Sequence, residues 1–80
     1  MKSKKEISTE LLNLMLEVTN SQQVRFTSAA ELKRLNLFEE EVISYLEEVI
    51  NKCNDTYKAR ALALLYRMSD EGEHYEDLDI

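Results

Sequence analysis

The stretch from Phe38 to Cys53 repeats apolar side chains every three or four residues, which fits one face of an α-helix and does not fit a strand. Three glutamates, Glu39 to Glu41, occupy its first turn, and Lys52 occupies its last. Both placements stabilise a helix, because carboxylates favour the positive end of the helix dipole and cations the negative end. The apolar stripe comprises Phe38, Val42, Leu46, Val49, Ile50 and Cys53. We therefore predict a helix here, around which the rest of the chain is organised.

Composition extends this prediction to the whole chain, because the 80 residues include no proline and one glycine. Leu, Glu, Lys, Ala and Met lose little rotamer freedom in a helix and dominate the sequence. We expect an all-α fold, a compact bundle of about four helices near residues 4–19, 28–35, 38–53 and 56–71. Residues 1–72 would form a single helical domain, and residues 73–80 an acidic, flexible tail.

Several helix ends carry recognisable capping residues. Ser3 with Glu6, and Ser28 with Glu31, each fit a capping box, in which the two residues satisfy each other's backbone amides. Asn36 is suited to a left-handed stop, which would give a helix-turn-helix-like pair in the middle of the chain. Residues 21–27 then read as a polar connector. Asn54 or Asp55 is a candidate N-cap for a last helix that would end near Gly72.

The apolar positions of these helices predict a core. The first helix has a wide apolar face, which fits a central helix covered on two sides within a small bundle better than it fits a contact with a partner. Spare apolar surface on helix 1 or helix 4 leaves a homodimer open. The inner set is expected to include Leu11, Met15, Val18, Phe26, Leu32, Leu35, Val42, Leu46, Val49, Ile50, Ala61, Leu64, Leu65 and Met68.

Catalysis and cofactor binding find little support. The single histidine, His74, lies in the predicted tail, and the single cysteine, Cys53, lies on an apolar stripe. Nucleophilic catalysis needs such groups side by side, and neither zinc spacing, an EF-hand loop nor a glycine-rich phosphate loop is present. We expect no enzyme, no metal and no cofactor. A lone cysteine and the lack of any apolar run of ~18 residues favour a cytoplasmic protein with no membrane span.

The net charge of −6 is concentrated at the C-terminus. Residues 70–80 hold six acids and no bases, so the remainder of the chain is neutral. Such a charge pattern does not attract nucleic-acid phosphates and suits a protein partner with a basic surface. The tail could dock there through Tyr75, Leu78 and Ile80, and the outer face of helix 3 could add Glu39, Glu40, Ser44, Glu47 and Glu48.

The central pair of helices has a pattern of polar, apolar and turn residues at Thr27, Glu31, Leu32, Leu35, Asn36, Leu37, Val42 and Leu46. In this pattern it resembles the helix-turn-helix of winged-helix and related regulators. The resemblance implies a DNA-binding transcription regulator, which would need its basic residues to form one contiguous face: Lys33, Arg34, Lys58, Arg60 and Arg67. Phe38 stands where that family has a serine N-cap, a helical pattern replaces the wing, and the outer face of helix 3 is acidic where a reading helix is basic.

The preferred hypothesis is a small non-catalytic protein-binding module, a bacterial or phage-type regulator or inhibitor. The first alternative is a divergent helix-turn-helix transcription regulator. A second alternative, which depends on acidity alone, is a protein that neutralises a toxin or mimics a nucleic acid.

Overall fold

The computed structural model describes residues 1–72, with side chains as far as Met68. It contains four α-helices, α1 (Lys4–Leu16), α2 (Gln22–Leu35), α3 (Glu39–Lys52) and α4 (Thr56–Gly72). No strand occurs in this part of the chain, so the all-α prediction of about four helices is confirmed. None of the described helices combines the length and the apolarity needed to cross a membrane. The predicted tail, 73–80, lies outside the described residues.

The first helix begins where the sequence predicts. The Glu6 amide donates a 3.1 Å hydrogen bond to Ser3 Oγ, and the Ser3 amide donates one of 2.8 Å to Glu6 Oε1. The helix ends at Leu16 rather than near residue 19, because the chain turns at Glu17, whose backbone is extended. Val18 therefore leaves the helical register and is 73% exposed, so its prediction as a core residue is wrong.

The second helix begins at Gln22, six residues before the predicted start at residue 28. Ser21 is its N-cap, with Oγ accepting a 3.2 Å hydrogen bond from the Val24 amide. Ser28, the predicted cap, is buried within the helix and donates from Oγ to the Val24 carbonyl at 2.9 Å. The polar connector at 21–27 is therefore wrong, because Arg25 and Phe26 pack inward as helical residues. Leu35 was also expected inside but is exposed in the last turn.

Helices α2 and α3 are joined by a short turn that the sequence did predict. Asn36 has φ 59° and ψ 41°, the left-handed conformation expected of it. The Leu37 amide donates to the Leu32 carbonyl at 3.0 Å, which closes a Schellman-type helix end. Phe38 also has a positive φ, 52°, and its carbonyl accepts from the Val42 amide at 2.9 Å, so it takes the N-cap position of α3. A bulky side chain in this region is strained.

Helices α3 and α4 are separate. The break lies at residues 53–55, where Asp55 Oδ1 accepts a 3.0 Å hydrogen bond from the Tyr57 amide, confirming Asp55 as an N-cap. On α3, Val42, Leu46 and Val49 are buried as predicted, and on α4 Ala61 is buried. Ile50, Leu64, Leu65 and Met68 are half-buried.

The chain divides into two compact units, one comprising Met1–Tyr45 and the other beginning at Leu46. In the first unit α1 packs against α2. Its buried residues are Met15, Arg25, Phe26, Ser28, Ala29, Leu32, Val42 and Tyr45. The second unit contains the end of α3 and all of α4. The prediction of a single domain over residues 1–72 is not tested by this division and stays a prediction.

Candidate functional site

The buried guanidinium of Arg25 fixes α2 against the end of α1. Its Nε donates a 2.7 Å hydrogen bond to the carbonyl oxygen of Met15, and its Cζ lies 4.8 Å from the centre of the Tyr45 ring. The Phe26 ring meets Tyr45 edge-on, with ring centres 6.5 Å apart. A buried arginine is stable here because its charge faces a helix C-terminus and an aromatic ring. These contacts hold the backbone on which the surface site is built.

The turn after α1 completes this anchoring. Asn20 Nδ2 donates to the Leu14 carbonyl at 3.1 Å, satisfying a carbonyl of the last helical turn. The Glu17 carboxylate accepts 2.7 Å from Thr19 Oγ1 and 3.3 Å from the Thr19 amide. These two hydrogen bonds, aided by the positive charge of Arg25, lower the pKa of the Glu17 carboxyl against the opposing effect of desolvation. The folded protein therefore favours the charged form of Glu17.

A surface groove of about 340 Å³ runs between α1 and α2. Leu14 on α1 and Val24 on α2 lie at its edges and remain 42% and 40% exposed. A groove with half-exposed walls suits a protein side chain rather than a small ligand, which a pocket normally encloses. We call it the α1/α2 groove, and its lining residues are Leu11, Leu14, Gln23, Val24, Thr27, Ser28 and Glu31.

The groove has an acidic border. Glu31 belongs to its lining, and an adjoining depression of about 380 Å³ shares Leu14 and adds Glu10 and Glu17. No lysine or arginine lines either depression. Glu10 forms an exposed ion pair with Lys2, and Glu31 lies 3.3 Å from Arg34 Nη1. Exposed pairs of this kind are weak, so the carboxylates can exchange partners at little cost.

More apolar surface continues along the same helix faces. Ile7 lies two turns before Leu14 on α1 and is 47% exposed. Leu35 follows Val24 and Glu31 at helical spacing on α2 and is 54% exposed. Contiguous exposed apolar side chains on a small protein mark contact surfaces more often than isolated ones do. The sequence signal was the overly wide apolar face of α1, which had left spare surface on helix 1 open as a contact; the lining residues of α2 were missed.

The acidic residues predicted on the outer face of α3 are mostly exposed. Glu39, Glu40, Ser44 and Glu47 are exposed, and Glu48 is half-buried with Lys52 Nζ 3.4 Å from its carboxylate. At ~100° per residue, Glu40, Ser44 and Glu47 share one stripe opposite the buried Val42, whereas Glu39 lies well to one side. Their role in binding a protein stays a prediction. The other predicted contacts, Tyr75, Leu78 and Ile80, lie outside the described residues, as does His74.

The five basic residues proposed for DNA lie on two elements. Lys33 and Arg34 occupy the last turn of α2, in the first unit, and Lys58, Arg60 and Arg67 lie on α4, in the second. Spacing on α4 places Arg60 and Arg67 on one edge and Lys58 nearly opposite. The bases of α4 therefore do not form one stripe.

The described residues offer no group of three or more His, Cys, Asp or Glu side chains placed to hold a metal ion. Cys53 is half-buried at the end of α3.

Fold and surface together define a small all-α protein with an acidic-bordered apolar groove between its first two helices. In comparisons with known proteins, no family model, no curated protein and no solved structure matches the chain.

Proposed function

We propose that this protein is a small non-catalytic protein-binding module whose α1/α2 groove receives an apolar helical segment of a partner. The observation that carries the proposal is the exposure of Leu14 and Val24 on the two walls of one groove. Covering the exposed part of each side chain would contribute roughly 1 kcal/mol. A cellular role as a regulator or inhibitor of bacterial or phage type, in the cytoplasm, belongs to the same proposal.

Charge favours a partner with a basic surface. Glu10, Glu17 and Glu31 border the groove, and Glu17 resists protonation because Thr19 holds its carboxylate. The exposed acids of α3, Glu40 and Glu47, are further carboxylates that could meet a basic partner. Complementary charge steers association and selects partners more than it adds affinity.

Leu14 and Leu16 provide a matched pair for the test. Both lie on α1, they are 42% and 49% exposed, and they point to nearly opposite sides of the helix. The wild-type protein, Leu14→Asp and Leu16→Asp are used to capture proteins from cells that naturally produce this chain. The captured protein is identified, purified and titrated against all three by calorimetry.

We expect Leu14→Asp to weaken binding of the purified partner by at least about tenfold, since a carboxylate would be placed in an apolar contact. Leu16→Asp should bind like the wild type. Equal affinities for the two variants would refute the groove as the binding site.

DNA binding is the weaker proposal, supported by the turn at Asn36 between α2 and α3. The exposed face of α3 opposes it, because Glu40 and Glu47 would lie against phosphates if that helix entered a groove. A salt titration that yields sub-micromolar duplex binding, lost in Arg34→Glu, would favour it over the protein-binding proposal.

A further inference from the structure

The outer face of α4 carries an apolar stripe of its own. Ala59, Leu62, Ala63 and Tyr66 follow one another at helical spacing, and all four are exposed. Leu62 is 49% and Tyr66 58% exposed, one turn apart. The opposite face of the helix holds the buried Ala61. An α4 built from this sequence is therefore apolar on two sides, and its own packing uses one of them.

Basic residues flank this outer stripe. With ~100° per residue, Arg60 and Arg67 lie together on one edge of the stripe, and Lys58 lies on the other edge. No acid falls between Thr56 and Met68. This part of α4 is thus a basic amphipathic helix with respect to its solvent-facing side. Such helices bind by laying their apolar stripe into a groove while cations meet acids at the border.

The α1/α2 groove has the complementary chemistry. Its walls are Leu14 and Val24, and its border carries Glu10, Glu17 and Glu31. Two copies of the groove would repel each other, as would two copies of the α4 stripe, because each pairing would bring like charges together. Attraction arises only when the α4 stripe of one molecule meets the groove of another.

We propose that the α1/α2 groove binds α4 of a second copy of this chain, with Leu62 and Tyr66 inserted between Leu14 and Val24. The proposal rests on the proposed function, since it uses the same groove and names its occupant. The lengths are compatible, because α4 of 17 residues is about 25 Å long and α1 of 13 residues about 20 Å. The contact joins two different surfaces and is therefore heterologous, so it produces either a reciprocal dimer or a longer chain of molecules.

A charge-swap experiment tests the pairing directly. One variant, Arg60→Glu/Arg67→Glu, makes the border of the α4 stripe acidic. The other, Glu10→Lys/Glu31→Lys, makes the groove border basic and leaves Glu17, which orders the turn after α1, unchanged. Each variant alone places like charges across the contact, whereas an equimolar mixture restores opposite charges. Molar mass is measured by light scattering over a concentration series at low salt, and far-UV circular dichroism verifies that both variants are helical.

We expect the wild type to exceed the monomer mass and to dissociate as salt is added, because its border charges are screened. Each variant alone should self-associate about tenfold more weakly, and the mixture should regain the wild-type mass. Leu62→Asp supplies an independent apolar test and should also be monomeric, whereas Leu16→Asp should behave like the wild type.

A wild type that stays monomeric at every concentration would overturn the inference, and so would a mixture that fails to regain mass. Self-association that persists in Leu62→Asp would overturn it as well. None of these results removes the groove as a binding site, because capture of another protein by wild type and not by Leu14→Asp is measured separately. Failure of both experiments would reject the proposed function itself.

Discussion

Arg25 Nε lies 2.7 Å from the carbonyl oxygen of Met15, so a side chain from α2 caps the C-terminal turn of α1 inside the protein. The same guanidinium stacks on the ring of Tyr45, in the middle of α3. One buried cation thus ties together three helical segments of the first unit. The C-terminal end of α1 and the aromatic ring supply negative potential that stabilises this cation.

Replacing Arg25 should therefore destabilise the protein far more than replacing an exposed arginine of the same helix. We expect Arg25→Met to lower the free energy of unfolding by about 2–4 kcal/mol, from the lost hydrogen bond and the lost cation–π contact. Arg34→Met is the matched control and should cost less than about 0.5 kcal/mol, because its pair with Glu31 is exposed. Urea denaturation of the two variants provides the measurement. Similar losses in both would contradict the anchoring role of Arg25.

The left-handed turn at Asn36 predicts a distinctive order of stabilities. Asn36→Ala should cost about 1–2 kcal/mol, because a β-carbon without a polar group is disfavoured at positive φ. Asn36→Gly should be as stable as the wild type or slightly more so, since glycine accepts this conformation without a steric penalty. Thermal melting followed by circular dichroism would establish the order. An alanine variant as stable as the glycine variant would mean that residue 36 is not left-handed in solution.

Leu46 on α3 and Leu62 on α4 allow a buried and a half-exposed leucine to be compared. Leu46 is fully buried, and Leu46→Ala should lower the free energy of unfolding by about 2–5 kcal/mol through lost burial and a residual cavity. Leu62 is half-exposed, and Leu62→Ala should change it by less than about 0.5 kcal/mol when measured on dilute protein. Chemical denaturation compares the two. An unchanged free energy of unfolding in Leu46→Ala would show that α3 presents a different face to the core.

The Glu17 carboxyl predicts how the turn after α1 responds to acid. Hydrogen bonds from Thr19 lower its pKa in the folded protein below the ordinary value of 4.5. The folded state therefore favours the carboxylate, so its contribution to stability is complete above the ordinary pKa and is lost as pH falls through the lowered one. NMR titration of the Glu17 side chain should show the lowered pKa in the wild type.

Thr19→Val is the control for this effect, since it removes the shortest of the bonds to Glu17 and keeps the shape of the side chain. The pKa of Glu17 should move back toward its ordinary value in that variant. A wild-type pKa at or above 4.5 would show that the hydrogen bonds do not persist in solution.

Local chemistry made much of the helical architecture predictable. Ser3 and Glu6 form a reciprocal cap, Asn36 takes the left-handed turn and Asp55 caps α4, each because its side chain acts on backbone groups a few residues away. The inner stripe of α3 could also be predicted from the sequence, because helical spacing alone puts its apolar residues on one side.

The start of α2 could not be predicted from local sequence. Ser21 and Ser28 are both competent N-caps, and local preference does not choose between them. The choice of Ser21 follows from distant partners, because a helix that begins there places Arg25 against the Met15 carbonyl and places Phe26 against Tyr45. Ser28 then becomes a buried helical residue whose hydroxyl donates a hydrogen bond to the Val24 carbonyl.

The same division applies to the candidate site. The sequence by itself determined that the chain is helical, where three of its four helices begin, and that α1 has a wide apolar face. Only the tertiary structure decided which apolar residues stay exposed, because packing against α2 buries Met15 and leaves Leu14 at the open edge of a groove. Burial depends on what lies opposite a side chain, and residues distant in the sequence supply that surface.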